Sequence, residues 1–154
     1  MKHLTTRNIV KIGVVVRDIE EAARTYADLF GLEMPQIKVP DFDPGDTETA
    51  DNWFRGEYRK TACKTAVIPL EPVYIELIEP LPHPSPWTEF QDRHGQGVHY
   101  LAFYVDGFEE HVALLKQKGF PLVQKTEKGH ERYAYFETES RLGVTVELKE
   151  KGSK

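Results

Sequence analysis

The sequence is short of cysteine. Cys63 is the one thiol in 154 residues, so no disulfide can form within the chain, and a reducing compartment is expected. It also lacks long apolar runs. None approaches the roughly 20 residues that a bilayer-spanning helix needs, so no membrane partner is expected. The opening segment MKHLTTRN has no apolar stretch of the secretory kind, and the expected location is cytoplasmic. A basic stripe is missing too. The 20 Lys and Arg are interspersed among 25 Asp and Glu, for a formal net charge of -5, which argues against a nucleic-acid partner. A small anionic ligand remains compatible with that balance, because one pocket can be basic on an acidic protein. With 40% hydrophobic and 29% charged residues the chain reads as globular, one domain or two small fused units.

What the sequence does contain is a repeat. Val10–Val16 is apolar and β-branched, so it predicts a strand. A helix is expected at about 19–30: Asp18 can cap it, Glu21 stands three residues on, and Gly31 closes it. The same pattern returns with a strand at Val98–Val105, a cap at Asp106, and Gly119 at the end. Asp18 to Gly31 and Asp106 to Gly119 each span 13 positions. Strands are expected next at about Leu32–Lys38, Lys60–Ile68 and Val73–Ile78. In the second half they fall at about Leu122–Lys125, Arg132–Phe136 and Val144–Lys149. The reading is α+β: two βαβββ modules, 8–80 and 97–150, forming a curved mixed sheet with a central cleft. The linker 81–96 is proline-rich at its start, and PWTEFQDR in it reads as a short helix. The first module carries about 17 extra residues, assigned to an insertion at about 39–58. Such a loop is a candidate lid, with Trp53 near its end as a candidate ligand cap.

Strand alternation sorts the side chains. Ile12, Val14 and Val16 belong under the first helix; Lys11, Gly13 and Val15 face the other way. In the repeat, His99, Leu101, Phe103 and Val105 take the helix face, against Tyr100, Ala102 and Tyr104. Tyr74, Glu76 and Ile78 alternate with Ile75 and Leu77, as Thr145, Glu147 and Lys149 do with Val144, Val146 and Leu148. One surface therefore gathers Lys11, Glu76, Tyr100 and Glu147, one from each first and last strand of both repeats. Converging in a hollow, they form a candidate site; left open to water, they are solvated strand residues.

The segments VKIGVVVRDIEEAARTYADLFGLE, YIELIEPL, GVHYLAFYVDG and GVTVELKE together resemble the vicinal oxygen chelate superfamily, over about residues 8–150. That superfamily includes glyoxalases, extradiol dioxygenases, bleomycin-resistance proteins and methylmalonyl-CoA epimerases. IELIEPL and GVHYLAFYVD are most similar to the epimerase-like and lactoylglutathione lyase-like branch. The resemblance implies a divalent metal held by a His on the first strand and a Glu or Gln on the last strand of each half. Here those positions are Lys11, Glu76, Tyr100 and Glu147, so both carboxylates stand and both histidines are replaced.

A protonated lysine cannot ligate a metal and a neutral tyrosine is a poor ligand, so no tightly bound metal is expected. Instead Lys11 is expected to relieve the repulsion between Glu76 and Glu147, with Tyr100 as a hydrogen-bond donor. The resemblance then implies a lyase or epimerase acting on a small carbonyl compound or thioester by proton transfer, and a homodimer. Lys64, Tyr74, Tyr104 and Trp53 are further candidate ligand-binding residues, with Tyr133 or Tyr135. Two alternatives stand beside this. A bleomycin-resistance-type protein binds a small molecule in an aromatic pocket without turnover. A metal held by Glu76 and Glu147 with His94 or His130 is the other.

Overall fold

The computed structural model describes residues 1–40, 52–128 and 131–151. The middle of the predicted insertion, the lid question attached to it, and His130 lie outside these residues. The elements are β1 (Lys11–Val15), α1 (Ile19–Phe30), β2 (Asn52–Phe54), β3 (Glu57–Tyr58), β4 (Cys63–Ile68) and β5 (Tyr74–Pro80). They continue with α2 (Pro86–His94), β6 (Gly97–Val105), α3 (Phe108–Gln117), β7 (Leu122–Lys128), β8 (Glu131–Phe136), α4 (Glu139–Leu142) and β9 (Thr145–Glu150).

All described strands join one curved mixed sheet, in the order β3-β2-β7-β8-β9-β6-β1-β5-β4. Its middle explains the architecture. β1 and β6 open the two halves and pair antiparallel with each other. Each then pairs parallel with the last strand of its own half, β1 with β5 and β6 with β9. A parallel pair needs a crossover, and α1 and α3 lie within those crossovers. The β2–β3 hairpin, from the first half, adds to the outer edge of the second by pairing with β7. Its two-residue turn puts Arg55 (φ 48) and Gly56 (φ 83) in the left-handed region, the twist a tight hairpin needs.

The apolar patterning buries as the alternation predicts. Val14, Val16, Ile75 and Leu77 pack with Ile19 and Ala23 of α1. Phe103, Val105, Val146 and Leu148 pack with Phe108, Val112 and Leu115 of α3. On the opposite face, Trp87 and Phe90 of α2 pack against Val15, Ile78, Tyr100, Ala102 and Tyr135, so α2 closes one side of the hollow. Ser85 caps α2 by accepting from Thr88 N–H at 3.0 Å. Asp18 caps α1 through Glu21 N–H at 3.1 Å.

Three local expectations change. The Leu32–Lys38 strand reduces to one bridge, Lys38 with Thr65, because Pro35 and Pro40 remove donors a ladder would use. Asp106 does not cap α3: the cap is Gly107 in the left-handed region, with no side-chain bond. The strand predicted from Lys60 begins at Cys63.

Gly13 opposes Tyr100 across the β1–β6 ladder. The fully buried Tyr100 ring lies over it, and a methyl group there would overlap the ring. Gly13→Ala should therefore lower stability by about 1–3 kcal/mol, the usual cost of overpacking. Urea denaturation reads this; an unchanged midpoint would show that the ring is free to move aside.

Candidate active site in the hollow

Two cross-strand rows build the site. In the first, Glu147 of β9 opposes Ala102 of β6, which opposes Lys11 of β1. Residues two strands apart are separated by about 10 Å, a gap that two long side chains can span. The central residue is alanine, and Lys11 Nζ reaches to 3.7 Å from Glu147 Oε1 above it. In the second row, Glu76 of β5 opposes Gly13, which opposes Tyr100. The central residue is glycine, and the Tyr100 hydroxyl reaches across to donate to Glu76 Oε1. The rows are equivalents in the repeat: acid on the last strand, small residue at the centre, long polar side chain beyond it. Lys11 Nζ links them, donating to Glu76 Oε1 at 3.2 Å.

The four residues grouped by alternation thus meet. Lys11, Glu76 and Glu147 line a cavity of about 510 Å³, whose walls include Tyr74, Trp87, Tyr133 and Tyr135, with Lys38 and Lys149; the fully buried Tyr100 touches it only through Glu76. A slightly larger groove, about 550 Å³, follows the outer side of α1 and holds none of the four.

Burial divides the acids. The Glu147 side chain is 2% exposed and the Glu76 side chain 21%. Burial raises the Glu147 carboxyl above the usual carboxylate range, opposed by Lys11 and by a hydrogen bond from Tyr135. Its Oε1 has no hydrogen bond, so it meets Lys11 through charge alone. For Lys11, burial disfavours the ammonium, but Glu147 and Glu76 outweigh it and hold the pKa above the ordinary lysine value. The Tyr100 phenol is pushed well up, first by burial and then by Glu76, and stays protonated.

These donors do not suit a divalent ion. The ammonium has no lone pair to offer and already stands between the carboxylates, while the Tyr100 proton is engaged with Glu76. Among the described residues no group of three or more His, Cys, Asp and Glu is arranged to hold a metal. His94 is engaged elsewhere, 2.7 Å from Glu139.

The remaining candidates divide. Tyr74 lines the cavity. Tyr104 stands at its side, cross-strand from Lys149 and with its ring 5.8 Å from that amine. Lys64 points away from the hollow and pairs with Glu79 at 3.4 Å. Its neighbours Cys63 and Thr65 take the inward face, because Thr65 and Val67 oppose the inward Ile78 and Glu76. Trp53 is turned outward and stacks on Tyr58, since the flanking Asn52 and Phe54 take the buried face of β2. Lys149 and Trp87 were not singled out, although alternation from Glu147 places Lys149 inward.

His99 also departs from expectation. The β1–β6 ladder shifts register here, pairing Gly13 with Tyr100 but Val14 with Val98. The bulge turns His99 toward Phe90 of α2, ring centroids 4.8 Å apart, and toward Tyr135, instead of the α3 layer.

Residues 11–136 match the Glyoxalase/Bleomycin resistance protein/Dioxygenase superfamily. The chain belongs to that family. It is 26% identical over 148 residues to the uncharacterized protein YqjC of Bacillus subtilis (strain 168), covering 89% of this chain and 87% of that one. The hypothetical protein BH1468 from Bacillus halodurans C-125 has a similar structure, with a TM-score of 0.64 at 22% identity and 96% of each chain covered. Methylmalonyl-CoA epimerase from Mycobacterium tuberculosis gives 0.62 at 20% identity, covering 97% of this chain and 93% of its own. At these identities the structural likeness establishes the fold.

Burial pulls the His99 imidazole down to about 3, so it stays neutral in the folded protein while the unfolded chain titrates near 6.5. The unfolded state then binds the extra proton, and stability falls as pH drops from about 6.5 towards 3. The loss from this group should be about 2 kcal/mol at about pH 5. Urea denaturation across pH reads it. His99→Phe should flatten this part of the profile; an unaltered slope would place the acid sensitivity elsewhere.

Proposed function

We propose that this protein is an isomerase or lyase of the epimerase-like and glyoxalase-like kind, moving a proton next to the carbonyl of a small carbonyl compound or thioester. It works without a tightly bound metal, in the cytoplasm, as a homodimer. The observation that carries this reading is the Lys11 ammonium between Glu76 and Glu147, with the Tyr100 hydroxyl on Glu76.

The roles follow from burial. Glu76 is the acid more open to the cavity, so it takes the proton from the carbon beside the carbonyl. The carbonyl oxygen rests against Lys11, and the charge that develops on it is met by the ammonium, while the Tyr100 hydroxyl holds Glu76 in place. Glu147, sealed beneath, keeps Lys11 charged and in place. If the planar enolate turns its other face to Glu76 before the proton returns, the product is an epimer; return to a neighbouring atom gives an isomer. The structural likeness to methylmalonyl-CoA epimerases supports this chemistry.

A second reading draws on the walls. Tyr74, Trp87, Tyr133 and Tyr135 wall the cavity with aromatic rings, as in a pocket that sequesters a ligand in the manner of a bleomycin-resistance protein.

Solvent-exchange NMR separates the two. Incubated in deuterium oxide with a panel of 2-oxo acids, hydroxyketones and acyl thioesters, the protein should wash deuterium into the carbon next to one carbonyl. Lys11→Met and Glu76→Gln should each slow that exchange by about 10²–10³-fold. Saturable binding with no exchange for any compound bound would favour the sequestering protein.

A further inference from the structure

A second cavity, about 310 Å³, lies behind the site and shares one wall with it. Tyr135 lines both cavities, and it is the residue that donates to Glu147. The lining of the second cavity combines Arg55, Arg93, His99, Glu137 and Glu139 around that tyrosine.

The charges there can be assigned one by one. Arg55 donates two bonds to Glu89, at 2.7 Å each. Arg93 and His94 both engage Glu139, at 3.2 and 2.7 Å. Glu137 accepts from Ser140 Oγ at 3.1 Å and from Ser140 N–H at 3.4 Å, and has no cationic side chain within ion-pair distance among the described residues; Arg55, which feels its charge, is bound to Glu89. His99 is 3% exposed, lines the cavity, and its Nδ1 is buried with no hydrogen-bond partner among the described residues. Buried polar groups are nearly always bonded, so an unbonded imidazole nitrogen at a cavity wall marks a place where something is received. The bulge in β6 puts it there, at the cost of a register shift beside the central ladder.

We infer that this second cavity binds a small organic cation bearing N–H donors, an alkylammonium or alkylguanidinium, with His99 accepting one hydrogen bond and Glu137 supplying the counter-charge. The volume suits a ligand of that class, and the two arginines, neutralised by their own partners, leave the carboxylate of Glu137 for it. This site is independent of the reaction proposed for the hollow.

The test uses the intact protein with ¹⁵N-labelled histidine. Ethylammonium and methylguanidinium are titrated while the His99 ring nitrogens are followed by NMR. Tetramethylammonium, equally charged but without an N–H donor, is the control. The expected result is a saturable shift of His99 with the two donors and none with the control. Glu137→Gln, a change at a partly exposed carboxylate that leaves the fold intact, should weaken binding by about tenfold, the loss of one charge-assisted hydrogen bond. His99→Leu, followed by calorimetric titration with the same two cations because the ring signal is gone, should lose binding. A non-saturable shift, an equal shift with tetramethylammonium, or unchanged affinity in Glu137→Gln would overturn the assignment.

Discussion

A lysine ammonium held between two buried or half-buried carboxylates is the constraint around which the hollow is organised. Charges of like sign this close cannot all stay ionised without a cation among them. Lys11 supplies that cation from the first strand of the chain, and Glu76 and Glu147 return the favour by keeping it protonated against burial. A pair of this kind contributes little net stability when intact, yet losing one partner strands the other. Its effect is to place a fixed positive charge, with a carboxylate on either side, in an aromatic-walled cavity.

The repeat makes this placement possible. Antiparallel pairing of β1 with β6 brings the two halves into register, so each acid faces the long polar side chain of the other half. Small residues at the centre of each row, Ala102 and Gly13, leave the space across which those side chains meet. The two first-strand positions hold an ammonium and a hydroxyl donor, so the backbone is symmetric between the halves while the side chains are not. The two acids differ in burial, Glu147 sealed and Glu76 partly open to the cavity.

Much of this was legible in the residues. Period-two alternation with capped helices in between exposed the repeat, and the repeat grouped Lys11, Glu76, Tyr100 and Glu147 before any contact was known. Where alternation failed, the causes are local. His99 escaped because a bulge breaks the period of two, and nothing in GVHYLAFYV announces one. Lys64, a ligand-binding candidate by sequence, lies on a short run whose phase only the pairing with β5 decides. Trp53 was read as part of a loop, whereas β2 pairs with a strand of the other half, a long-range contact that local propensity does not encode. The partition at Tyr135, with a cavity on either side, depends on how α2 and the β2–β3 hairpin close over the sheet, which likewise lies beyond local pattern.

The central claim is that Lys11 stands in for the metal of this fold. Metal analysis of protein purified without chelator, followed by calorimetric titration with nickel, cobalt and zinc, tests it most directly. The account predicts far less than one metal per chain and no binding of added metal in the hollow, with Lys11 undisturbed. One tightly held ion per chain, lost on replacing Glu76 or Glu147 by alanine, would contradict it.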